Sequence, residues 1–154
     1  MRSTTYQINL DSFSVNNKEY AAGTTLTLPE KLLPTTLQAQ AIEFYQLGVQ
    51  HYKSKELHRA IAYLDQAIKI APNYIKAYVL ESLIHTQLED YQAVIDDCTQ
   101  LLYLSPSFAF AYANRGFAHY SLGDFSEAIA DYNQAVNLNP HDTKVYANRG
   151  FVRS

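Results

Sequence analysis

Two hydrophobic patterns divide the chain. In the first forty residues apolar and polar side chains alternate: Tyr6, Ile8 and Leu10 are separated by Gln7 and Asn9, and Leu26 and Leu28 alternate within a Thr-rich stretch that Pro29 ends. Alternation of period two is the signal of a strand. Asn16-Asn17 and Gly23 supply turn signals between the runs. The reading is a short irregular or β-hairpin arm over residues 1–36. A two-stranded hairpin alone is marginal in water, so it must pack on the rest, pair with something else or stay mobile. From about Leu37 the pattern changes, with Thr35 or Thr36 placed to cap a helix. Phe44, Leu47, Gly48 and His51 then fall at i, i+3, i+4 and i+7, one face of a helix.

The helical pattern repeats. Tyr112-Ala113-Asn114-Arg115-Gly116-Phe117 recurs 34 residues later as Tyr146-Ala147-Asn148-Arg149-Gly150-Phe151. Pro72, Pro106 and Pro140 keep the same spacing, as do His51, His85 and His119. Counting Ala41 as position 1 starts the following repeats at Ile75, Ala109 and Thr143. Small residues at positions 8, 20 and 27 allow two helices to approach, and large ones at 4 and 24 fill the space beside them. Proline at 32 ends the second helix of each pair. Asn73, Ser107 and Asp142 are the expected N-caps of the next first helices. Gly123-Asp124 and Leu88-Glu89-Asp90 mark the tight turns within repeats.

This register resembles the tetratricopeptide repeat family, whose pattern has a large residue at 4, Leu-Gly at 7–8, Tyr at 11, Ala at 20, an aromatic at 24, Ala at 27 and Pro at 32. The first repeat matches with Phe44, Leu47, Gly48, Ala60, Ala67 and Pro72, and the third with Tyr112, Gly116, Ala128, Tyr132, Ala135 and Pro140. The second is degenerate, with Glu81, Ser82, Val94, Cys98 and Leu101 at positions 7, 8, 20, 24 and 27. The resemblance implies an all-α fold over residues 37–154: a right-handed superhelical stack of antiparallel helix pairs, about three and a half repeats long. The chain ends at Gly150-Phe151-Val152-Arg153-Ser154 while still on the family pattern, so the fourth repeat is expected to stop after its first helix. A polar second helix added there should raise stability, since terminal repeats need a polar outer face.

Composition narrows the chemistry. Twelve Lys and Arg against fifteen Asp and Glu give 12 − 15 = −3, which does not suit a binder of nucleic-acid phosphates. The single cysteine, Cys98, excludes an intrachain disulfide and fits a reducing, cytoplasmic setting. The first residues lead into no apolar run of the signal-peptide kind, and no stretch reaches the length of a membrane span. The three histidines share position 11 on successive helices about 8–10 Å apart, too far for one ion to reach them all. Cys98 holds a packing position, and Asp96-Asp97 and Glu89-Asp90 suit a solvated face. No Gly-rich phosphate loop, nucleophile elbow or CxxC pair is present. The expectation is a non-enzyme with no cofactor and no metal. Glu81 and Arg115, both at position 7, are expected to pair across a repeat junction.

In the family, positions 2, 5, 6, 9, 12 and 13 line a concave groove that binds peptides. The resemblance therefore implies a peptide-binding groove carried here by Tyr45, Val49, Tyr52, Val79, Leu83, Phe110, Asn114, Phe117, Tyr120 and Asn148. The apolar members are expected to form one exposed strip. The family's carboxylate clamp for chaperone C-termini is not reproduced: only Asn114 and Lys144 match, while Val79 and Leu83 replace polar members and Asn148 stands where Arg is needed. The function expected is a protein–protein interaction scaffold for a peptide of unspecified identity. The alternatives are a docking or regulatory part of a larger enzyme, or a module that self-associates through its last helix or its N-terminal arm.

Overall fold

Helix follows helix from Thr35 onward in the computed structural model, which describes residues 13–15, 18–20 and 35–153. They are α1 (Thr35–Lys53), α2 (Leu57–Ile70), α3 (Ile75–Gln87), α4 (Tyr91–Leu104), α5 (Ala109–Leu122), α6 (Phe125–Leu138) and α7 (Thr143–Arg153). Ahead of them, β1 (Phe13–Val15) pairs antiparallel with β2 (Lys18–Tyr20), with Ser14 opposite Glu19. The alternating runs at Tyr6–Leu10 and Leu26–Leu28 lie outside the described residues. Helix α1 begins two residues before Leu37, so Thr35 and Thr36 occupy its first turn instead of capping it.

Contacts among the helices run only between near neighbours. The pairs α1–α2, α3–α4 and α5–α6 form antiparallel hairpins, and α2–α3, α4–α5 and α6–α7 join them. First helices also touch first helices, α1 with α3, α3 with α5 and α5 with α7, whereas α2, α4 and α6 do not touch one another. An array in contact along one row of helices and splayed along the other curves toward the first row. The first helices therefore line the inner, concave side of a helical solenoid.

The core follows positions 8, 20, 24 and 27. Gly48 and Gly116 pass so close to the facing helix that a Cβ would stand 2.9 Å from Leu64 and 3.1 Å from Tyr132. In the second repeat Ser82 holds the glycine position, and the small Cys98 replaces Leu64 or Tyr132 opposite it. Ala60, Val94 and Ala128 are fully buried, as are Leu64, Cys98 and Leu101. The turns inside the three complete repeats share one conformation. Lys55, Glu89 and Gly123, all at position 15, have left-handed φ values of 64°, 59° and 87°, which glycine adopts without steric cost and Lys or Glu only with some.

The joints between repeats are capped differently from expectation. The α3 and α5 caps are Tyr74 and Phe108, one residue beyond Asn73 and Ser107. Their rings are buried, so packing sets where these helices start. Asp142 does cap α7, its Oδ1 accepting from the amides of Lys144 at 3.1 Å and Val145 at 3.4 Å. Tyr78 reaches back across the first joint and donates its hydroxyl to the Pro72 carbonyl at 3.0 Å.

Position 7 carries the electrostatics of each joint. Arg115 makes a two-pronged pair with Asp131 of its own repeat, both bonds 2.8 Å, and donates to Thr99 of the preceding repeat at 3.2 Å. Arg149 donates to Asn133 at the next joint, at 3.2 Å. The expected pairing of Glu81 with Arg115 is absent, because Asp131 holds that guanidinium. Glu81 is buried instead against two further acids, Asp65 and Asp97, with which it shares hydrogen bonds. Burial first, then the neighbouring carboxylates, push both Glu81 and Asp97 well above the usual carboxylate range.

Two predictions follow from these joints. Since the unfolded chain ionises its carboxyls near pH 4, the protonated Glu81–Asp97 contact gives stability that is full below that range and is lost as pH rises through neutral. Glu81→Gln should therefore raise the melting temperature at pH 8 by a few degrees and flatten its fall between pH 5 and 8, read by thermal circular dichroism. Arg115→Ala, which strands the buried Asp131, should cost about 3 kcal/mol in urea denaturation.

Candidate functional site

The inner face presents the outward positions of α1, α3, α5 and α7. On α1, Tyr45, Val49 and Tyr52 are half-buried. The Tyr45 ring lies 5.2 Å from that of Tyr74, and the Tyr52 hydroxyl accepts from Gln87 Nε2 at 2.8 Å. On α5, Phe117 and Tyr120 are also half-buried. Phe117 meets the edge of Tyr91 at 5.9 Å between centroids, and Tyr120 leans on Phe125 at 5.6 Å. Partly exposed aromatic rings with their backs supported give two apolar platforms, one in the first repeat and one in the third.

Between the platforms the expected strip is interrupted. Val79, Leu83 and Phe110 are 2%, 6% and 7% exposed and join one core cluster with Val94, Cys98 and Leu101. Contact between α3 and α5 brings position 2 of the third repeat into the same cluster as positions 5 and 9 of the second, so these side chains fill the joint instead of facing solvent. Asn114 is also buried: its Oδ1 accepts from the Thr86 hydroxyl at 3.4 Å and its amide points to Cys98 Sγ at 3.8 Å. Asn148, on α7, is half-buried. The structure thus groups Tyr45, Val49 and Tyr52, and separately Phe117 and Tyr120. The sequence reading missed Tyr91 and Phe125, which extend the second platform. The signal was available, since both occupy position 17 of their repeats.

The histidines serve the turns. His51 Nδ1 lies 2.5 Å from Glu56 and its ring stacks on Tyr63, His119 Nδ1 lies 3.5 Å from Asp124, and His85 stands 4.0 Å from both Asp90 and Asp97. Each ring thus faces an acid at position 16, and in the first repeat the contact is a hydrogen bond that ties α1 to the start of α2. No group of three His, Cys, Asp or Glu side chains among the described residues could hold a metal ion. Burial pushes the Cys98 thiol up, which disfavours the nucleophilic thiolate.

Charge on the inner positions has one sign. Lys53, Lys76 and Lys144 stand there, and no Asp or Glu does. Burial pulls the Lys76 ammonium below the ordinary lysine value.

The geometry agrees with known proteins. Tetratricopeptide repeat models match residues 41–74 and 109–142. The second tetratricopeptide domain of human RPAP3, solved with the HSP70 peptide SGPTIEEVD, is similar with a TM-score of 0.72 at 24% identity, over 77% of this chain and 98% of that one. The tetratricopeptide domain of Arabidopsis OM64 gives 0.69 at 25% identity, over 73% and 93%. The N-terminal domain of stress-induced protein-1 from C. elegans gives 0.70 at 19%, over 79% and 99%. A search of curated proteins finds no match.

The interruption of the strip can be measured. Val79→Ala and Leu83→Ala should each cost about 2–3 kcal/mol in urea denaturation, as large-to-small changes in a core do. Tyr52→Ala and Phe117→Ala should cost less than half as much.

Proposed function

The chain belongs to the tetratricopeptide repeat family, and from that premise we propose that it is a protein–protein interaction scaffold that binds a peptide segment across its first helices. The observation that carries this reading is the pair of half-exposed aromatic platforms on the concave face, Tyr45, Val49 and Tyr52 at one and Phe117 and Tyr120 at the other. Apolar surface left open on a folded domain marks an interaction site, and aromatic side chains are the usual anchors of binding energy. Of the remaining members of the reading, Val79, Leu83 and Phe110 pack in a core cluster of their own, Asn114 is buried and Asn148 is half-buried on α7.

The human RPAP3 domain was solved with a chaperone peptide, which supports the inner face as a peptide site in this fold. The partner here differs in how it is held. Val79 and Leu83 stand at two polar positions of the carboxylate clamp, and Asn114 is engaged with Thr86. In this proposal the scaffold acts by binding, and catalysis is no part of it. No helix among the described residues is long and apolar enough to cross a membrane. A cytoplasmic setting is part of the proposal, in keeping with a single buried cysteine.

A displayed library of random peptides selected on the purified chain tests this. Peptides should enrich on the chain and fail to bind the Tyr52→Ala, Phe117→Ala double variant, whose melting temperature should stay within a few degrees of the parent. Enrichment of no peptide, or of peptides indifferent to both changes, would contradict the reading.

A further inference from the structure

The turns that join the two helices of a repeat differ in charge along the array. Positions 13–16 read Lys53-Ser54-Lys55-Glu56 in the first repeat, Gln87-Leu88-Glu89-Asp90 in the second and Ser121-Leu122-Gly123-Asp124 in the third. The first turn sets two lysines against one acid, whereas the other two together carry three acids and no base. Glu89, Asp90 and Asp124 are exposed. Asp90 and Asp124 face the His85 and His119 rings, and no Lys or Arg among the described residues pairs with any of the three. Burial holds His85 below the ordinary histidine value, so the ring beside Asp90 is uncharged at neutral pH.

The acidic turns flank the second platform. Tyr91 directly follows Asp90 and opens α4, and Phe125 directly follows Asp124 and opens α6. Between them, Phe117 and Tyr120 share a face of α5 at i, i+3. Ring centroids are 5.9 Å apart for Tyr91 and Phe117 and 5.6 Å apart for Tyr120 and Phe125. The four rings thus form a row that begins and ends beside an acid. Phe125 and Leu122 are 52% and 47% exposed, so the third-repeat end of the row is open to solvent. Apolar surface this open marks an interaction site, and acids at its ends disfavour a ligand of like charge.

Resting on the peptide-scaffold reading, we propose that the second platform selects a basic–apolar–basic segment, with one large apolar residue seated on Phe117 and Tyr120 and an Arg or Lys two positions to each side of it. In an extended segment alternate side chains face the same way, and residues four apart stand about 13 Å from each other. The long basic side chains extend that reach, so one head group meets Glu89 and Asp90 and the other meets Asp124. Arginine suits both neighbours, since its planar group pairs with carboxylates and stacks on aromatic rings such as Tyr91 and Phe125. The first platform, whose turn carries Lys53 and Lys55, does not share this preference.

The chain contains no tryptophan, so indole emission reports a Trp-bearing probe alone. The probe is a synthetic peptide of about nine residues with Trp at its centre, Arg two positions to each side and Ser elsewhere. Its emission should shift to the blue as the protein is added. Replacing both Arg by Gln should weaken binding about fivefold, the scale of exposed ion pairs, and replacing both by Glu should weaken it more than about tenfold. Phe117→Ala should weaken the Arg probe about tenfold. Glu89→Lys combined with Asp124→Lys should reverse the order, so that the Glu probe binds better than the Arg probe. Both sites accept the change, since Lys55 already holds the left-handed position of Glu89 and the Asp124 side chain makes no cap hydrogen bond. Glu43→Gln with Asp96→Asn, at exposed sites on α1 and α4, should leave order and strength unchanged, which separates the platform from net charge. No blue shift, equal binding of the Arg and Gln probes, or an order that survives the double lysine change would overturn this inference. The scaffold reading then stands if library peptides are still lost on the Tyr52→Ala, Phe117→Ala double variant. Library peptides indifferent to that variant would overturn both.

Discussion

The close approach of two helix backbones within each repeat is the constraint from which the rest of this structure follows. Gly48 and Gly116 leave room for Leu64 and Tyr132 where a Cβ would stand about 3 Å away. That contact fixes how deeply one helix of a pair sits on the other, and hence where its remaining apolar face points. A single pair cannot bury that face, so neighbours must cover it. Ser82 with Cys98 meets the same constraint by trading volume from one side of the contact to the other. Such a trade keeps the total volume, the change cores tolerate best.

Stacking is directional because the joints are not alike. At the second joint Arg115 binds Asp131 and Thr99; at the first, the same three positions hold Glu81, Asp97 and Asp65. One joint is closed by a guanidinium and the other by protons held between carboxyls. Replacing an ion pair by a protonated contact makes the first joint the more sensitive to alkali. The same stacking decides the groove, since first helices that touch must fill the surface between them.

The helices and their order were legible in the sequence because a 34-residue period reports the same packing event several times. The register from Ala41 places Ile75, Ala109 and Thr143, and these are the first residues of α3, α5 and α7. Finer features were less legible where they depend on contacts between repeats. Asn73 and Ser107 have the chemistry of caps, but burial of Tyr74 and Phe108 moves the helix starts by one residue. Glu81 and Arg115 have opposite charges and equivalent positions, yet a nearer acid takes the arginine. Val79, Leu83 and Phe110 occupy the outward side of their own helices, and only the spacing between neighbouring helices shows that they are enclosed. A helical wheel treats each helix alone and so cannot reveal this.

The central claim is that the concave row of first helices, and not the outer row, meets a peptide. Amide chemical-shift mapping of the isotope-labelled chain during titration with a selected peptide tests it most directly. The account predicts that the shifts concentrate on Tyr45–Tyr52 of α1 and on Phe117–Tyr120 of α5, with α2, α4 and α6 little changed. Shifts centred on the outer helices, around Asp96 and Glu127, would contradict it.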